Sequence, residues 1–237
     1  MTRRMMTVVA GAATMAVLLA GAASAEQSDT KAPNAVGAGQ GWDTSVAANQ
    51  TQAGVLDENQ TGMIRSVNAY FNALTTLKGH FVQTTSDKKR SKGKFYMFRP
   101  GKFRFEYSLP SKQLIVSDGE YLAIQDLDLN NEDRIALDQT AFRLLLRKDV
   151  DLLRDARIID VQQAEDLIIL TVQDKSPDTP GRIKLFMATK PAVELKEWVT
   201  SDAQGLDTRV EVSDLAKGET LNPELFKIKA VGLPGVP

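Results

Sequence analysis

The chain has 237 residues, with 29 Lys and Arg against 30 Asp and Glu, a single histidine and no cysteine. A near-neutral balance gives no support to nucleic-acid binding, for which a basic domain is the usual sign. The missing cysteine excludes disulfides, thiolate nucleophiles, cysteine-held metals and a lipidated cysteine behind an export signal, and one histidine excludes a histidine metal cluster.

Residues 1–25 have the layout of a secretory signal: Arg3 and Arg4, an apolar run from Met5 to Ala20, and Ala23-Ser24-Ala25 as a cleavage site. The run falls short of the roughly 20 apolar residues of a membrane span. General secretion is favoured over the twin-arginine route that Arg3 and Arg4 also suggest, because little else of that motif surrounds them. The mature start is then Glu26. Cleavage removes two of the 29 basic residues and none of the 30 acids, for a net charge of −3. The exported protein is expected to be soluble in the periplasm and monomeric.

Residues 26–56 are rich in Ala, Gly, Gln, Ser, Thr and Asn and lack periodicity, which reads as a disordered tether. Residues 57–237 read as one domain. Asp57 with Gln60 offers a capping box, and Ile64, Val67, Phe71 and Leu74 follow at spacings of three and four, predicting an amphipathic helix that ends near Leu77 to Gly79. Short antiparallel strands are then predicted at 80–86, 92–99, 102–108, 112–117, 120–127 and 133–138, separated by turns such as Arg99-Pro100-Gly101 and Ser117-Asp118-Gly119. The period changes at Thr140, which can cap a short helix carrying Ala141, Leu144 and Leu145, while Asp149 can open a further turn through Val150, Leu152 and Leu153. Strands resume at 157–163, 167–174, 182–189, 193–201 and 206–213. Asn222-Pro223 opens a helical turn before a final short strand with Phe226 and Ile228.

The densest strand signal runs from Gly93 to Gly119. Phe103, Phe105 and Tyr107 share one face while Lys102, Arg104 and Glu106 take the other, and Phe95, Met97 and Arg99 share one parity on the incoming strand. The apolar face of this hairpin therefore ends in a guanidinium, which needs partners because an unpaired charge in an apolar setting costs several kcal/mol or more. Residues 88–104 hold eight basic side chains and no acid, whereas 118–138 are mainly acidic. Lys88, Lys89, Arg90 and Lys92 are accordingly either a solvated hairpin or a docking edge for acidic partners or anionic headgroups.

The order Phe81-x-Gln83, Gly93-x-Phe95, Arg99-Pro100, Phe103-x-Phe105-x-Tyr107, Pro110 and Val116-Ser117-Asp118-Gly119, behind a helix and a signal peptide, resembles the periplasmic outer-membrane lipoprotein carrier family (LolA). The resemblance implies a mainly β (α+β) fold: an unclosed antiparallel β-barrel of about eleven strands, with a lid of short helices over an apolar cavity. It implies that Phe95, Met97, Phe103, Phe105 and Tyr107 line that cavity, and that Ile64, Val67, Phe71, Leu144 and Leu145 belong to the lid. It further implies, as partners, acylated lipoproteins, an inner-membrane ABC-type exporter and an outer-membrane acceptor lipoprotein. On that scaffold Arg99 is expected at the rim, donating to the unpaired carbonyls at a helix C-terminus and latching the lid shut when empty. The sequence departs from the family where Ala141 stands after Thr140, a place often taken by proline, and in its short Gly/Pro-rich tail.

No enzyme is expected. Neither G-x-S-x-G, a P-loop nor H-E-x-x-H occurs, and Ser117 has no base beside it in sequence. Asp126, Asp128, Asn130 and Glu132 imitate a calcium loop, but Asn131 replaces its glycine and Leu137 its last glutamate, so an acidic hairpin tip is preferred. No cofactor is expected. The alternative reading is a lipid- or lipoprotein-binding sensor on the same half-barrel.

Overall fold

The computed structural model of the chain describes residues 56–177, 179 and 181–231. The signal peptide expected at 1–25, and all of the expected tether except Leu56, lie outside them. Among the described residues eleven antiparallel strands form one sheet: β1 (Thr76–Thr84), β2 (Arg90–Phe98), β3 (Lys102–Tyr107), β4 (Gln113–Asp118), β5 (Tyr121–Asp126), β6 (Asn131–Ala136), β7 (Ala156–Ala164), β8 (Leu167–Asp174), β9 (Arg182–Ala188), β10 (Glu194–Ser201) and β11 (Asp207–Lys217). Their order is β6-β5-β4-β3-β2-β1-β11-β10-β9-β8-β7. The chain thus starts mid-sheet, runs by hairpins to one edge, crosses to the other, and returns until β11 pairs with β1. β6 and β7 remain edges, so the barrel is unclosed.

Curvature follows from the register. Irregularities in pairing at Lys78/His80, Ile158/Asp160 and Leu195/Glu197 bend three strands. The result is visible in Phe105 on β3 and Trp198 on β10, whose rings lie 6.2 Å apart although three strands stand between them. In a flat sheet those strands would be about 19 Å apart. Close approach of β2 to β3 requires a glycine: a Cβ on Gly93 would sit 1.9 Å from the Glu106 carbonyl oxygen and 2.7 Å from the Phe81 ring.

Pairing determines which side chains share the inner face. Phe81, Phe95, Met97, Phe103, Ile115 and Leu122 on one half continue into Val210, Val212, Trp198, Leu185, Met187 and Leu170 on the other, all buried. This face is covered from two directions. Helix α1 (Glu58–Ala73) contributes Met63, Ile64, Val67, Tyr70 and Phe71. The crossover, a 3-10 turn at 137–139 followed by α2 (Arg143–Leu146) and α3 (Leu152–Asp155), contributes Leu137, Leu144, Leu145, Leu146, Val150 and Leu152.

The capping box forms as predicted: Asp57 accepts from the Gln60 N–H at 2.7 Å, and the Gln60 side chain accepts from the Asp57 N–H at 3.0 Å. The helix ends earlier than predicted. It stops at Ala73 because Thr76 and Leu77 pair with Phe98 and Met97 of β2, so sheet pairing overrides the helical period there. Thr140 closes the 3-10 turn, donating to the Leu137 carbonyl, and does not cap α2. Asp151, not Asp149, caps α3. Among the described residues no final strand forms around Phe226 and Ile228: Pro223–Phe226 is a 3-10 turn capped by Asn222, and the residues that follow, to 231, run along the outer face. There Phe226 meets Phe98, the Leu225 carbonyl accepts from Arg104, and the Lys229 carbonyl accepts from Gln125. Side chains of the sheet have taken the place of a strand ladder.

Candidate functional site

Arg99 follows the last residue of β2, and its parity with Phe95 and Met97 turns it toward the inner face. Its N–H donates to the Thr75 carbonyl, which holds the strand end beside the exit of α1. The residue is 7% exposed, and its Nη2 donates to the carbonyl of Arg147, the C-cap of α2. One residue earlier, the Leu146 carbonyl accepts from the Gly101 N–H at 2.9 Å. The β2–β3 turn therefore takes up two successive orphan carbonyls of a helix end, one through backbone and one through a guanidinium. Gly101 can do so because its φ is +76°. Burial lowers the Arg99 pKa, with the Asp149 charge opposing, and the buried Nε has no hydrogen-bond partner among the described residues.

Two asparagines join α1 to the crossover. Asn72 donates to the Val150 carbonyl at 2.9 Å and accepts from the Val150 N–H at 2.8 Å, while Asn68 accepts from the Leu152 N–H at 3.2 Å. Sequence reading missed both. Their signal was two amides four residues apart on an otherwise amphipathic helix, the spacing that places them on one face. A third contact anchors α2 to the sheet: Arg143 grips Asp174 through Nε at 2.5 Å and Nη2 at 2.7 Å. Burial pushes the Asp174 carboxyl up, but the Arg143 hydrogen bonds and the Ser176 N–H outweigh it and hold the group below its ordinary value. This pair was also missed, since the residues are far apart in the chain.

Phe95, Met97, Phe103 and Tyr107 are buried, and Phe105 is half-buried. Phe81 meets Phe105 and Tyr107 edge-on, Phe105 stacks on Phe95, and Phe103 meets Phe142 of the crossover. The Tyr107 hydroxyl donates to Gln83 at 2.6 Å, and burial raises its pKa. Ile64 and Val67 are fully buried, with Phe71, Leu144 and Leu145 nearly so, so the cover buries its own apolar side chains on the side of the sheet. Along α1, on the side of β11, lies an open groove of about 540 Å³ lined by Ser66, Tyr70, Leu74 and Lys217 among others. Lys88, Lys89, Arg90 and Lys92 are exposed at the β1–β2 turn, at the opposite end of β2 from Arg99. Among the described residues no three metal-ligating side chains come together.

An unclosed barrel whose apolar inner face is covered by short helices, held down through a handful of polar contacts, defines a binding half-barrel. This chain belongs to the family of outer membrane lipoprotein carrier proteins, LolA, whose family model matches residues 72–229. It is 30% identical over 182 residues to the outer-membrane lipoprotein carrier protein of Chromobacterium violaceum, covering 73% of this chain and 86% of that one. Against the protein of the same description from Legionella pneumophila strain Paris the identity is 29% over 187 residues, covering 76% and 87%. Among solved structures, a LolA superfamily protein from Nitrosomonas europaea aligns with a TM-score of 0.39 at 11% identity, over 70% of this chain and 97% of that one.

Proposed function

We propose that the protein is a periplasmic carrier that takes acylated lipoproteins from an inner-membrane ATP-driven exporter and passes them to an outer-membrane acceptor, with no bond made or broken. The observation that carries this reading is an apolar inner face beneath a helical cover that is held by a few polar contacts through Arg99, Asn72 and Arg143. The apolar face is covered by Met63, Ile64, Val67 and Phe71 of α1, and an acyl chain seated on that face displaces them.

The magnitudes suit a donor. Fully burying a large apolar side chain is worth about 1.5–3 kcal/mol, so re-exposing these four costs about 6–12 kcal/mol. A chain of about 16 methylenes gains about 13 kcal/mol on burial at about 0.8 kcal/mol each. The two nearly cancel. Cargo is then held weakly enough to be surrendered without an energy source, and the Arg99 and Asn72 hydrogen bonds, lost on loading and regained on release, tip the balance toward release. The family match favours this reading over a sensor.

Mass spectrometry of the protein purified from its own periplasm is the direct test. The expected result is an acylated lipoprotein bound at one copy per chain. Protein that carries only free phospholipid, or that stays empty when the exporter is active, refutes the proposal.

A further inference from the structure

Four of the most exposed large apolar side chains are leucines in hairpin turns: Leu109 at 76%, Leu129 at 66%, Leu206 at 48% and Leu127 at 47% exposure. Strand register puts these turns at one end of the sheet. Residues 85–89 join β1 to β2 beyond the Thr84–Arg90 pair, and 108–112 join β3 to β4 beyond the Gly93–Tyr107 level. Residues 127–130 join β5 to β6 beyond the Asp126–Asn131 pair, next to Gln113. Residues 202–206 join β10 to β11 beyond Ser201–Asp207, beside Thr84.

Two of the tips are fastened together. The Leu127 N–H donates to the Lys112 carbonyl at 3.2 Å, and Lys112 Nζ lies 2.6 Å from Asp128 Oδ1. Leu109, Leu127 and Leu129 therefore stand exposed on two adjoining turns that are tied together. The acids among them are engaged: Asp126 accepts from the Asp128 and Leu129 N–H groups, and Asp128 pairs with Lys112. Ser108 donates its N–H to the Lys92 carbonyl, so this group adjoins the tip that carries exposed Lys88, Lys89, Arg90 and Lys92.

We propose that this end of the sheet docks on a phospholipid surface, with Leu109, Leu127 and Leu129 entering the headgroup–acyl boundary and the Lys88–Lys92 cluster engaging anionic headgroups. Leucines standing on convex tips have no concave counterpart of their own, and leucine is under-represented among protein–protein hot spots. At a bilayer the same side chains bury apolar area about 5–10 Å below the headgroups, and each nearby cation adds attraction to anionic lipid. The inference goes beyond the carrier reading, because it gives the empty protein a membrane contact of its own, at the end of β2 away from the Arg99 latch.

The absence of cysteine allows single labelling sites. Leu109→Cys and Leu129→Cys, each carrying an environment-sensitive fluorophore, are mixed as full-length protein with phosphatidylethanolamine–phosphatidylglycerol vesicles; Glu120→Cys, in the β4–β5 turn at the other end, is the control. The expected result is a several-fold emission rise and blue shift at 109 and 129 and none at 120. In unlabelled protein, Leu109→Ser and Leu129→Ser should each lower vesicle binding about tenfold, and the pair Lys88→Gln and Lys89→Gln should abolish the preference for anionic over phosphatidylcholine vesicles. No emission change at 109 and 129, or an equal change at 120, overturns the proposal. So does a change produced by an acceptor protein in detergent-free buffer but not by vesicles, which would assign these tips to protein docking.

Discussion

Asn72 and Val150 exchange two hydrogen bonds, the side-chain amide of one matching the backbone N–H and carbonyl of the other at 2.8 and 2.9 Å. An amide here does what a neighbouring strand would do, and it ties α1 to a crossover segment that has no ladder of its own. Asn72→Leu leaves both backbone groups of Val150 without that partner, costing about 1–3 kcal/mol. The expected phenotype is a lower Tm together with faster lipoprotein loading, read in a release assay from inner-membrane vesicles. Unchanged loading would mean that α1 and the crossover move as one piece.

Arg99→Leu should keep the fold, load lipoprotein and transfer it more slowly, since opening no longer breaks the bond to the Arg147 carbonyl. Arg99→Lys should be intermediate at best, because a single ammonium does not reproduce a planar fork. A transfer assay with pre-loaded protein measures this. Wild-type rates for Arg99→Leu would leave the residue with no part in release.

The Arg143–Asp174 pair should act through stability and show it in the pH dependence. Asp174 has a depressed pKa, so its contribution is present above the ordinary carboxylate value near 3.9 and disappears as pH falls through the folded-state value. Asp174→Asn is expected to cost about 1–3 kcal/mol near neutrality. Denaturant melts of the two proteins should draw together as pH falls below the ordinary carboxylate value and through the lower folded-state one, and a gap that persists once Asp174 is protonated would assign the effect to packing.

Gly93→Ala should be far worse than an ordinary strand substitution, because the contact at 1.9 Å is with backbone and cannot be relieved by rotating a side chain. About 3 kcal/mol or more is the expected loss, with poor soluble yield. A Tm within a few degrees of wild type would show that β2 and β3 can separate locally.

For export, N-terminal sequencing of the protein recovered from the periplasm should begin at Glu26. An intact Met1, or recovery only from membranes, would contradict a cleaved signal.

What the sequence determined by itself was whatever depends on near neighbours in the chain. Alternation placed Phe103, Phe105 and Tyr107 on one face, Asp57 and Gln60 marked the start of α1, and turn residues separated strands within a residue or a few of their observed limits. The parity that turned Arg99 inward was also local, and so was legible. Tertiary structure decided everything that joins distant segments. The end of α1 is set by pairing of Thr76 and Leu77 with β2, the C-terminal run is an outer strap whose carbonyls Arg104 and Gln125 take up, and Asn72 meets Val150 and Arg143 meets Asp174 because the crossover lies over the inner face. Hydrogen bonds between residues tens of positions apart leave no period in a sequence, since their geometry exists only after the sheet has curled.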